Sequence, residues 1–383
     1  MATNVINIRR FVDVTTGVES AGTNVARDWG AFLFVQKGDD GAATKITKYE
    51  NLAAVVAAGS NTEATKAATV FYGTSYDSLV PNSPFYVAEI GAENVEEFTT
   101  NFTALLDSED YYLVGIDSNF DTDARKAAAG IMEASQATAA HRLFIEDYSA
   151  DAANKTLEED ENSLAAYCKK NNYKATMVVW VNPTNENKYY GAAAASFFAT
   201  RRFNNTKRAM ASIAHKRPSG IAPVNLKDSN VTVTETQAFD NLDSKGCNVY
   251  ANINIVGITA WERGNTPSGD DMSDFISADY LNYTITMSVF NALQNNARIP
   301  MNTHGAAILA SAIEVAFLQL TAAGVIAGGT SLDGETFPAT GYKLSIPIPT
   351  GVAKANGLWE NINCSALLAG SAKKVVIGNM LKR

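Results

Sequence analysis

The sequence predicts a multi-domain α/β protein with a parallel-rich sheet flanked by helices, an α+β C-terminal domain, and an extended β-arm at each end. Three observations support this prediction. Short, almost wholly apolar segments alternate with helical patterns through the first half of the chain. Two long helical patterns follow in the second half, and β-prone segments stand at both ends behind small residues. Buried parallel strands have this apolar character, because helices exclude water from both of their faces.

Length and composition indicate a globular protein with more than one core. The 383 residues suffice for two or three domains, with 46% hydrophobic and 19% charged residues. We divide the chain into an N-terminal arm at 1–22, an α/β domain at 23–225, an α+β domain at 226–369 and a C-terminal arm at 370–383.

The charge balance argues against a role in nucleic-acid binding. The chain has 31 basic and 40 acidic residues, a formal net charge of -9, and no basic stripe stands out. The N-terminus lacks the basic and apolar segments of a signal peptide. The most apolar window, 305–329, contains Glu314 and Gln319, so we expect no membrane insertion. The three cysteines are odd in number and far apart, which indicates free thiols in a reducing cytoplasm.

The first half of the chain carries the alternation that predicts the parallel sheet. Each strand is short and apolar, and a helical pattern separates it from the next. The predicted strands are 31–35, 85–90, 111–116, 142–146 and 175–181. The predicted helices are 49–58, 63–72, 95–106, 122–139, 157–170 and 187–203.

The character of the chain changes between 204 and 250. Pro218, Gly220 and Pro223 mark a boundary. The following segment, 231–236, alternates polar and apolar residues, which predicts a half-exposed strand. The segment 241–248 is typical of a helix end followed by a turn.

The stretch 254–329 organises the second half of the chain. It predicts a strand, a polar turn, a long helix, a Pro/Gly break and a second helix. Asn302 or Thr303 is the expected N-cap of the second helix, and Gly324 its expected end. After it, 341–349 is a predicted strand whose prolines place it at a sheet edge.

Both ends of the chain carry a β-prone arm on a flexible joint. An unpaired apolar strand needs a partner sheet. Pairing within its own domain satisfies one such arm, but two arms favour donation of strands to neighbouring subunits. The predicted strand-exchange residues are Val5, Ile6, Ile8, Val12, Val14, Val375, Val376, Ile377, Met380 and Leu381. The predicted hinges are Gly17, Gly22, Gly370 and Ser371.

The best candidate for chemistry is a set of polar residues after the predicted strands. These are Asp117, Asp121, Asp123, Glu146, Asp147 and Asn182. Carboxylates that converge at the carboxyl edge of a parallel sheet are able to hold Mg²⁺. Alternatively, Asp121 or Asp123 caps a helix and the other acids are solvated. Since no phosphate-binding loop, nucleophile elbow or dinucleotide fingerprint accompanies them, we predict no catalytic residue, no metal and no cofactor.

A family resemblance rests on a turn of the form Trp-x-x-Gly-x-x-x-Ser-Gly at 261–269. A long helix, an Ile-Pro turn with a following Gly, and an amphipathic helix with a Gly-rich end come after it. The block at 46–72 adds a helix, a small polar turn and a helix ending in aromatic residues. Together these features resemble the contractile tail sheath proteins, which jacket the tails of myophages and related injection machines.

The resemblance implies a structural role in a virion tail. Sheath subunits stack as hexameric rings around a tail tube, exchange strands through their terminal arms, and contract to drive the tube through the target cell envelope during genome ejection. It also implies synthesis in a bacterial cytoplasm and contacts with tail tube, baseplate and tail-terminator proteins. A non-contractile tail or baseplate protein is the closest alternative, and a Mg²⁺-dependent α/β enzyme is a more distant one.

Four cations flank the predicted strand within the C-terminal arm. They are Lys373, Lys374, Lys382 and Arg383. Within the sheath resemblance they would contact an acidic surface of the inner tube. The alternative is that they keep an apolar strand soluble before assembly.

Overall fold

A seven-stranded sheet forms the centre of the N-terminal half. The computed structural model describes residues 27–370 except 40–43, 59–61, 107–110, 138–140, 150, 183, 185–188, 204–207, 227–229 and 253–256. The strands of this sheet are β1 (Phe32–Lys37), β2 (Lys45–Tyr49), β3 (Phe85–Ile90), β4 (Leu113–Ile116), β5 (Leu143–Tyr148), β6 (Thr176–Trp180) and β7 (Cys247–Asn248). They lie in the order β2-β3-β1-β4-β5-β6-β7. Every neighbouring pair is parallel except β2 and β3. The predicted parallel-rich α/β sheet is therefore confirmed.

Helices cover this sheet on both faces. They are α1 (Leu52–Ala57), α2 (Glu63–Gly73), α3 (Val95–Leu106), α4 (Thr122–Ala134), α5 (Leu164–Lys170) and α6 (Tyr190–Ala199), with α7 (Glu235–Ser244) before β7. The α2 helix packs on α6, while α3, α4 and α5 pack in a row. The chain moves one way along the sheet from β1 to β3 and the other way from β3 to β6, so right-handed crossovers place α2 on one face and α3, α4 and α5 on the other. Because α6 packs on α2, it covers the same face as α2.

Close packing at the centre depends on small residues. All ten residues of α6 are buried, and five of them are alanines. Gly115 in β4 lies against the Phe32 ring, and a Cβ at this glycine would stand 2.8 Å from that ring. The interior is therefore filled closely enough to fix neighbouring strands and helices in place.

The second half of the chain adds smaller sheets and a helix pair. Here β8 (Tyr250–Asn252) pairs with β9 (Thr259–Trp261), and α8 (Met272–Asn295) packs on α9 (Thr303–Ala322). Beyond them, β10 (Gly329–Thr330) pairs with β11 (Thr336–Phe337), and β12 (Tyr342–Ser345) pairs with β13 (Asn363–Ala366), with α10 (Gly351–Ala355) between β12 and β13. The predicted order of strand, long helix, break and second helix is confirmed.

The ends of α9 follow from individual residues. The Asn302 side chain accepts hydrogen bonds from the backbone N–H groups of His304 and Gly305, so Asn302 is the N-cap. At the other end Gly324 has a φ of 76°, and the Val325 N–H donates to the Leu320 carbonyl at 2.9 Å. This left-handed closure is a common helix ending. Both predicted boundaries of α9 are confirmed.

Three sequence-based assignments were wrong. The helix predicted at 49–58 starts only at Leu52, because Tyr49 ends the antiparallel strand β2. The helix predicted at 157–170 starts at Leu164, where Ser163 is the N-cap. The strand predicted at 231–236 is instead the approach to α7, which begins with a capping box. In each case a local hydrogen bond to a cap, or strand pairing, overrode the hydrophobic pattern.

One strand of the main sheet, β7, comes from the C-terminal side of the predicted domain boundary at 225. Residues 178 and 179 of β6 pair with Cys247 and Asn248 of β7. The Asn248 side chain donates to the Val178 carbonyl at 3.0 Å and to the Asn265 carbonyl at 2.8 Å. These bonds attach the two halves of the chain to each other.

Candidate assembly surfaces

A buried polar cluster holds α8 against the main sheet. Nδ1 of His141 hydrogen bonds to Oδ1 of Asp279, and the Tyr112 hydroxyl donates to Oδ2 of Asp279 at 2.8 Å. Burial and the neighbouring Asp279 carboxylate raise the pKa of Tyr112 well above its usual range, so its hydroxyl keeps its proton. The histidine therefore has an ordinary hydrogen-bonding role.

An aromatic cluster lies beside this polar cluster. The Trp29 ring contacts Tyr112 with ring centroids 4.7 Å apart and Tyr280 of α8 with centroids 5.5 Å apart. Phe203 stacks on Tyr280 with centroids 3.7 Å apart. Since these rings come from both halves of the chain, α8 belongs to the same rigid packing as the sheet.

A second link joins β9 to α6. The Trp261 Nε1–H donates to the Tyr76 hydroxyl at 2.8 Å, and that hydroxyl donates to the Ala193 carbonyl at 3.0 Å. All three residues are fully buried. The tryptophan of the sequence motif at 261–269 is therefore a structural anchor.

The strand-end acids are occupied by protein partners. The Asp121 side chain accepts from the Ala124 N–H at 2.7 Å and caps α4, as the alternative interpretation predicted. Glu146 forms a buried ion pair with Arg125, and Asp147 accepts from the Gly191 N–H at 2.7 Å. Among the described residues no three Asp, Glu, His or Cys side chains are grouped as metal ligands.

Burial changes the acidity of two of these carboxyl groups. Removal from water raises the pKa of Glu146 to about 8, although the Arg125 guanidinium opposes this shift. Burial likewise raises the pKa of Asp147 to about 7, against the hydrogen bond from Gly191. Both groups therefore hold a proton up to a higher pH than they would in water.

The crevice where doubly wound sheets bind ligands is filled by protein. This crevice lies beyond the carboxyl ends of β1 and β4. The chain passes from β1 to β3 on one side and then returns to β4 on the other side, so the strand order reverses here. The Tyr189 ring packs edge-on against Phe34 with centroids 5.2 Å apart, and its hydroxyl donates to the Glu63 carboxylate. The side chain that fills this place therefore belongs to the fold itself.

A shallow cleft beside β7 offers no catalytic arrangement among the described residues. Its volume is about 300 Å³, and Asp243, Cys247 and Arg263 are among its lining residues. Arg263 is paired with Asp243 at 2.7 Å. Burial raises the pKa of Cys247 to about 12, so the thiol stays protonated. All three cysteines are free, as predicted.

The C-terminal half exposes backbone that another strand is able to pair with. The β12–β13 pair has only two strands, so each strand has an outer edge without a ladder partner among the described residues. The prediction that the strand in 341–349 lies at an edge is confirmed. Unpaired edges of this kind template the addition of a further strand.

One face of α9 is exposed, and its fully exposed residues include no Lys, Arg, Asp or Glu. Its exposed residues are Thr303, His304, Ala307, Ser311, Val315, Leu318 and Ala322. Val315 is 45% exposed and Leu318 is 53% exposed. Within the described part of the chain, this helix alone is long and apolar enough to cross a membrane by length and composition, and a third of its most apolar window is buried. Packing on α8 accounts for the buried part.

The predicted arms lie largely outside the described residues. This holds for the strand-exchange residues of both ends, for the hinges Gly17, Gly22 and Ser371, and for the four predicted tube-contact cations. Gly370 is described, exposed, and has a φ of 64°. The Ala369 N–H donates to the Val325 carbonyl at 2.8 Å, so the described chain ends beside the C-terminus of α9.

Sequence reasoning missed the cluster around Asp279. A signal was present, because this acid stands among the apolar residues of a helical pattern. A lone acid on the buried face of a helix indicates a buried partner. Its partner, His141 just before β5, is set by the tertiary structure.

Comparison with known proteins supports the same class. Residues 272–380 match the family model described as E217 tail sheath protein gp31-like, C-terminal domain. The contracted helical sheath of the anti-feeding prophage is similar over 97% of both chains, with 12% identity and a TM-score of 0.58. The contracted sheath of the PVC extracellular contractile injection system covers 97% of this chain and 96% of its own, with 12% identity and a TM-score of 0.59.

A chain in the six-fold symmetrised baseplate of the anti-feeding prophage is also similar. It covers 100% of both chains, with 14% identity and a TM-score of 0.59. Comparison with curated proteins found no match. At these identities the likeness shows a shared fold.

The chain therefore has the fold of contractile sheath proteins. Its residues 272–380 match the tail sheath C-terminal domain model described as E217 gp31-like. The resemblance inferred from the sequence is confirmed.

Proposed function

We propose that this protein is the structural subunit of a contractile tail sheath. It polymerises as stacked hexameric rings around a tail tube and contracts to drive the tube through the target cell envelope. One observation carries the proposal: a tail sheath family domain at 272–380 lies in a chain whose whole length has a sheath fold. A polymer that lengthens without closing needs heterologous contacts between subunits.

The arms connect the subunits in this proposal. Residues 5–14 and 375–381 add strands to neighbouring copies, and the exposed edges of the β12–β13 pair are suitable acceptors. Gly17, Gly22, Gly370 and Ser371 act as hinges during contraction. The left-handed conformation of Gly370 favours glycine at that hinge.

The proposed partners are other components of a tail. Lys373, Lys374, Lys382 and Arg383 contact the tail tube, and the ends of the sheath contact baseplate and tail-terminator proteins. The protein works without a metal, cofactor or catalytic residue and does not insert into membranes. It is made in a bacterial cytoplasm and resides in the virion tail or a related injection device.

Negative-stain electron microscopy of the purified protein tests the proposal. We expect hollow tubes or stacked rings, with a different helical pitch when assembly takes place on the tail tube protein. Monomers at all concentrations would contradict it. Tubes with a single fixed pitch under both conditions would favour the non-contractile tail or baseplate alternative.

Titration with Mg²⁺ tests the enzyme alternative. We expect no binding by isothermal calorimetry, because the Asp121 side chain is committed to capping α4. Tight binding that disappears in an Asp121→Ala and Asp123→Ala double variant would favour an enzyme.

A further inference from the structure

A run of cations lies between the two halves of the chain. Residues 201–217 contain six Lys or Arg residues, and no Asp or Glu occurs between Glu186 and Asp228. The chain as a whole has a formal net charge of -9. The run is thus strongly basic within an acidic protein, although the sequence taken alone did not make it stand out as a stripe.

The structure places the described residues of this run at the amino-terminal edge of the main sheet. Arg202 donates through Nη2 to Oδ1 of Asn82 at 3.2 Å, and its N–H donates to the Arg208 carbonyl at 2.7 Å. Ser219 forms a bridge with Ser75. Because residues 75–82 lead into the start of β3, these contacts collect the cations where the parallel strands begin.

Four cations form a surface that we name the basic edge. It consists of Arg202, Arg208, Lys216 and Arg217. Arg208 and Arg217 are exposed, and the other two are partly buried. In the described part of the chain, none of the four forms an ion pair with a carboxylate. Their charge is therefore available to a partner.

Arg201 lies beneath this surface and adds to its positive potential. Its side chain is 5% exposed, and its closest carboxylate oxygen, on Asp77, is 3.7 Å away. Its guanidinium lies over the Phe197 ring, 4.4 Å from the centroid. Burial lowers the pKa of Arg201, and the charge of Arg208 acts in the same direction. The Arg208 charge is therefore close enough to be felt at Arg201.

The opposite edge of the same sheet is acidic. Asp39, Glu93, Glu96, Asp121 and Asp123 follow the carboxyl ends of β1, β3 and β4 and are exposed, and they outnumber the exposed cations Lys37 and Lys45 at the same edge. We name these five residues the acidic edge. Asp123 has a cation partner, Lys126, at a long 3.5 Å. Strands of about six residues separate the two edges by about 20 Å.

We propose that the basic edge of one copy of this chain docks on the acidic edge of the next copy. The contact rests on the proposed function, since it is one of the interfaces that a sheath polymer needs. Opposite charges at opposite ends of one rigid body make the contact heterologous, so it repeats from copy to copy. It also orients the encounter of two copies and weakens as salt screens it.

Charge-swap variants test this contact by sedimentation and electron microscopy of polymers. The Arg208→Glu plus Arg217→Glu variant makes both edges acidic, and we expect the critical concentration for its polymerisation to rise at least tenfold. The Glu93→Lys plus Glu96→Lys variant makes both edges basic, and we expect the same rise in its critical concentration. An equimolar mixture of the two, and a single chain with all four changes, should polymerise again.

The matched control keeps the charge. Arg208→Lys plus Arg217→Lys should polymerise like the wild type, and a thermal melt shows whether each variant monomer folds. Polymerisation of the Arg208→Glu plus Arg217→Glu variant at the wild-type critical concentration would overturn the contact alone. The contact would also be overturned if both charge-swap variants fold but their equimolar mixture stays monomeric. It would likewise be overturned if the variants polymerise normally and lose only their binding to the tail tube. A wild type that never polymerises would overturn the proposed function together with this contact.

Discussion

His141 and Asp279 are buried partners, 138 residues apart in the chain, that join the segment just before β5 to the first half of α8. The second ring nitrogen, Nε2, lies 2.9 Å from the Gln136 carbonyl oxygen, which is only an acceptor. Both nitrogens of His141 thus face oxygen acceptors. A proton must therefore lie between Nδ1 and the Asp279 carboxyl group as well, and this shared proton attaches the helix to the sheet.

Asp279→Ala should destabilise the folded monomer by about 3–5 kcal/mol, because it leaves His141 and Tyr112 buried without their partner. Chemical denaturation of the monomer measures the change. The control is Asp243→Ala, which removes an exposed ion pair with Arg263 and should cost about 1 kcal/mol or less. Equal losses in the two variants would show that the buried cluster is not an anchor.

Glu146 should make the protein less stable as the pH rises. Burial raises its pKa to about 8 in the fold, from the usual 4.5 of a glutamate side chain. Between these values the native state keeps a proton that the unfolded state has released, so the free energy of unfolding falls with pH, by at most about 1.4 kcal/mol per pH unit. The stabilisation that protonated Glu146 contributes is fully present below pH 4.5 and is lost by about pH 8.

Glu146→Gln should flatten that pH dependence. The measurement is the free energy of unfolding from urea denaturation at several pH values between 5 and 8. Glu93→Gln, at an exposed position, is the control and should keep the wild-type slope. An unchanged slope in Glu146→Gln would assign the pH dependence to other groups, such as Asp147.

Two glycines near the end of α9 should respond differently to alanine. Both have a left-handed φ, 76° at Gly324 and 81° at Gly341. A Cβ at Gly324 meets nothing within 4 Å, so Gly324→Ala should cost only about 1–2 kcal/mol of backbone strain. A Cβ at Gly341 would lie 2.3 Å from the Ile326 Cγ2, so overpacking adds about 1–3 kcal/mol. Equal losses in thermal melts would contradict the clash.

Removal of either arm should abolish polymers and spare the monomer. Deletion of residues 1–20, or separately of 371–383, removes a proposed exchange strand and leaves the described sheet and helices intact. Sedimentation velocity should show monomers, and the melting temperature should stay within a few degrees of the full-length monomer. A large fall in melting temperature would indicate that the arm completes its own subunit.

The elements of the sheet core could be predicted because their signals are local. The strand predicted at 85–90 and the helices predicted at 63–72 and 95–106 agree with the structure within one residue. Their apolar patterns are strong, and the interior of a parallel sheet tolerates little else. The signals for the N-cap at Asn302 and for the helix end at Gly324 were equally local, since each depends on hydrogen bonds within a few residues.

Other elements depended on distant partners. The segment that became β2 has mostly exposed and half-buried residues and is a strand because it pairs with β3. The acids after the strands looked like one group in the sequence. In the fold they were divided among a helix cap, the ion pair with Arg125 and the N–H of Gly191. Long-range hydrogen bonds of this kind have no signature in a single stretch of chain.

The sequence by itself determined the α/β class, the order of α8 and α9, and the resemblance to sheath proteins, because periodicity, caps and turn motifs act over a few residues. Only the tertiary structure decided which charges meet. It buried Asp279 against His141 and gathered Arg202, Arg208, Lys216 and Arg217 at one edge of the sheet. The physical reason is that burial and electrostatic potential depend on distances in space, which the order of residues alone does not set.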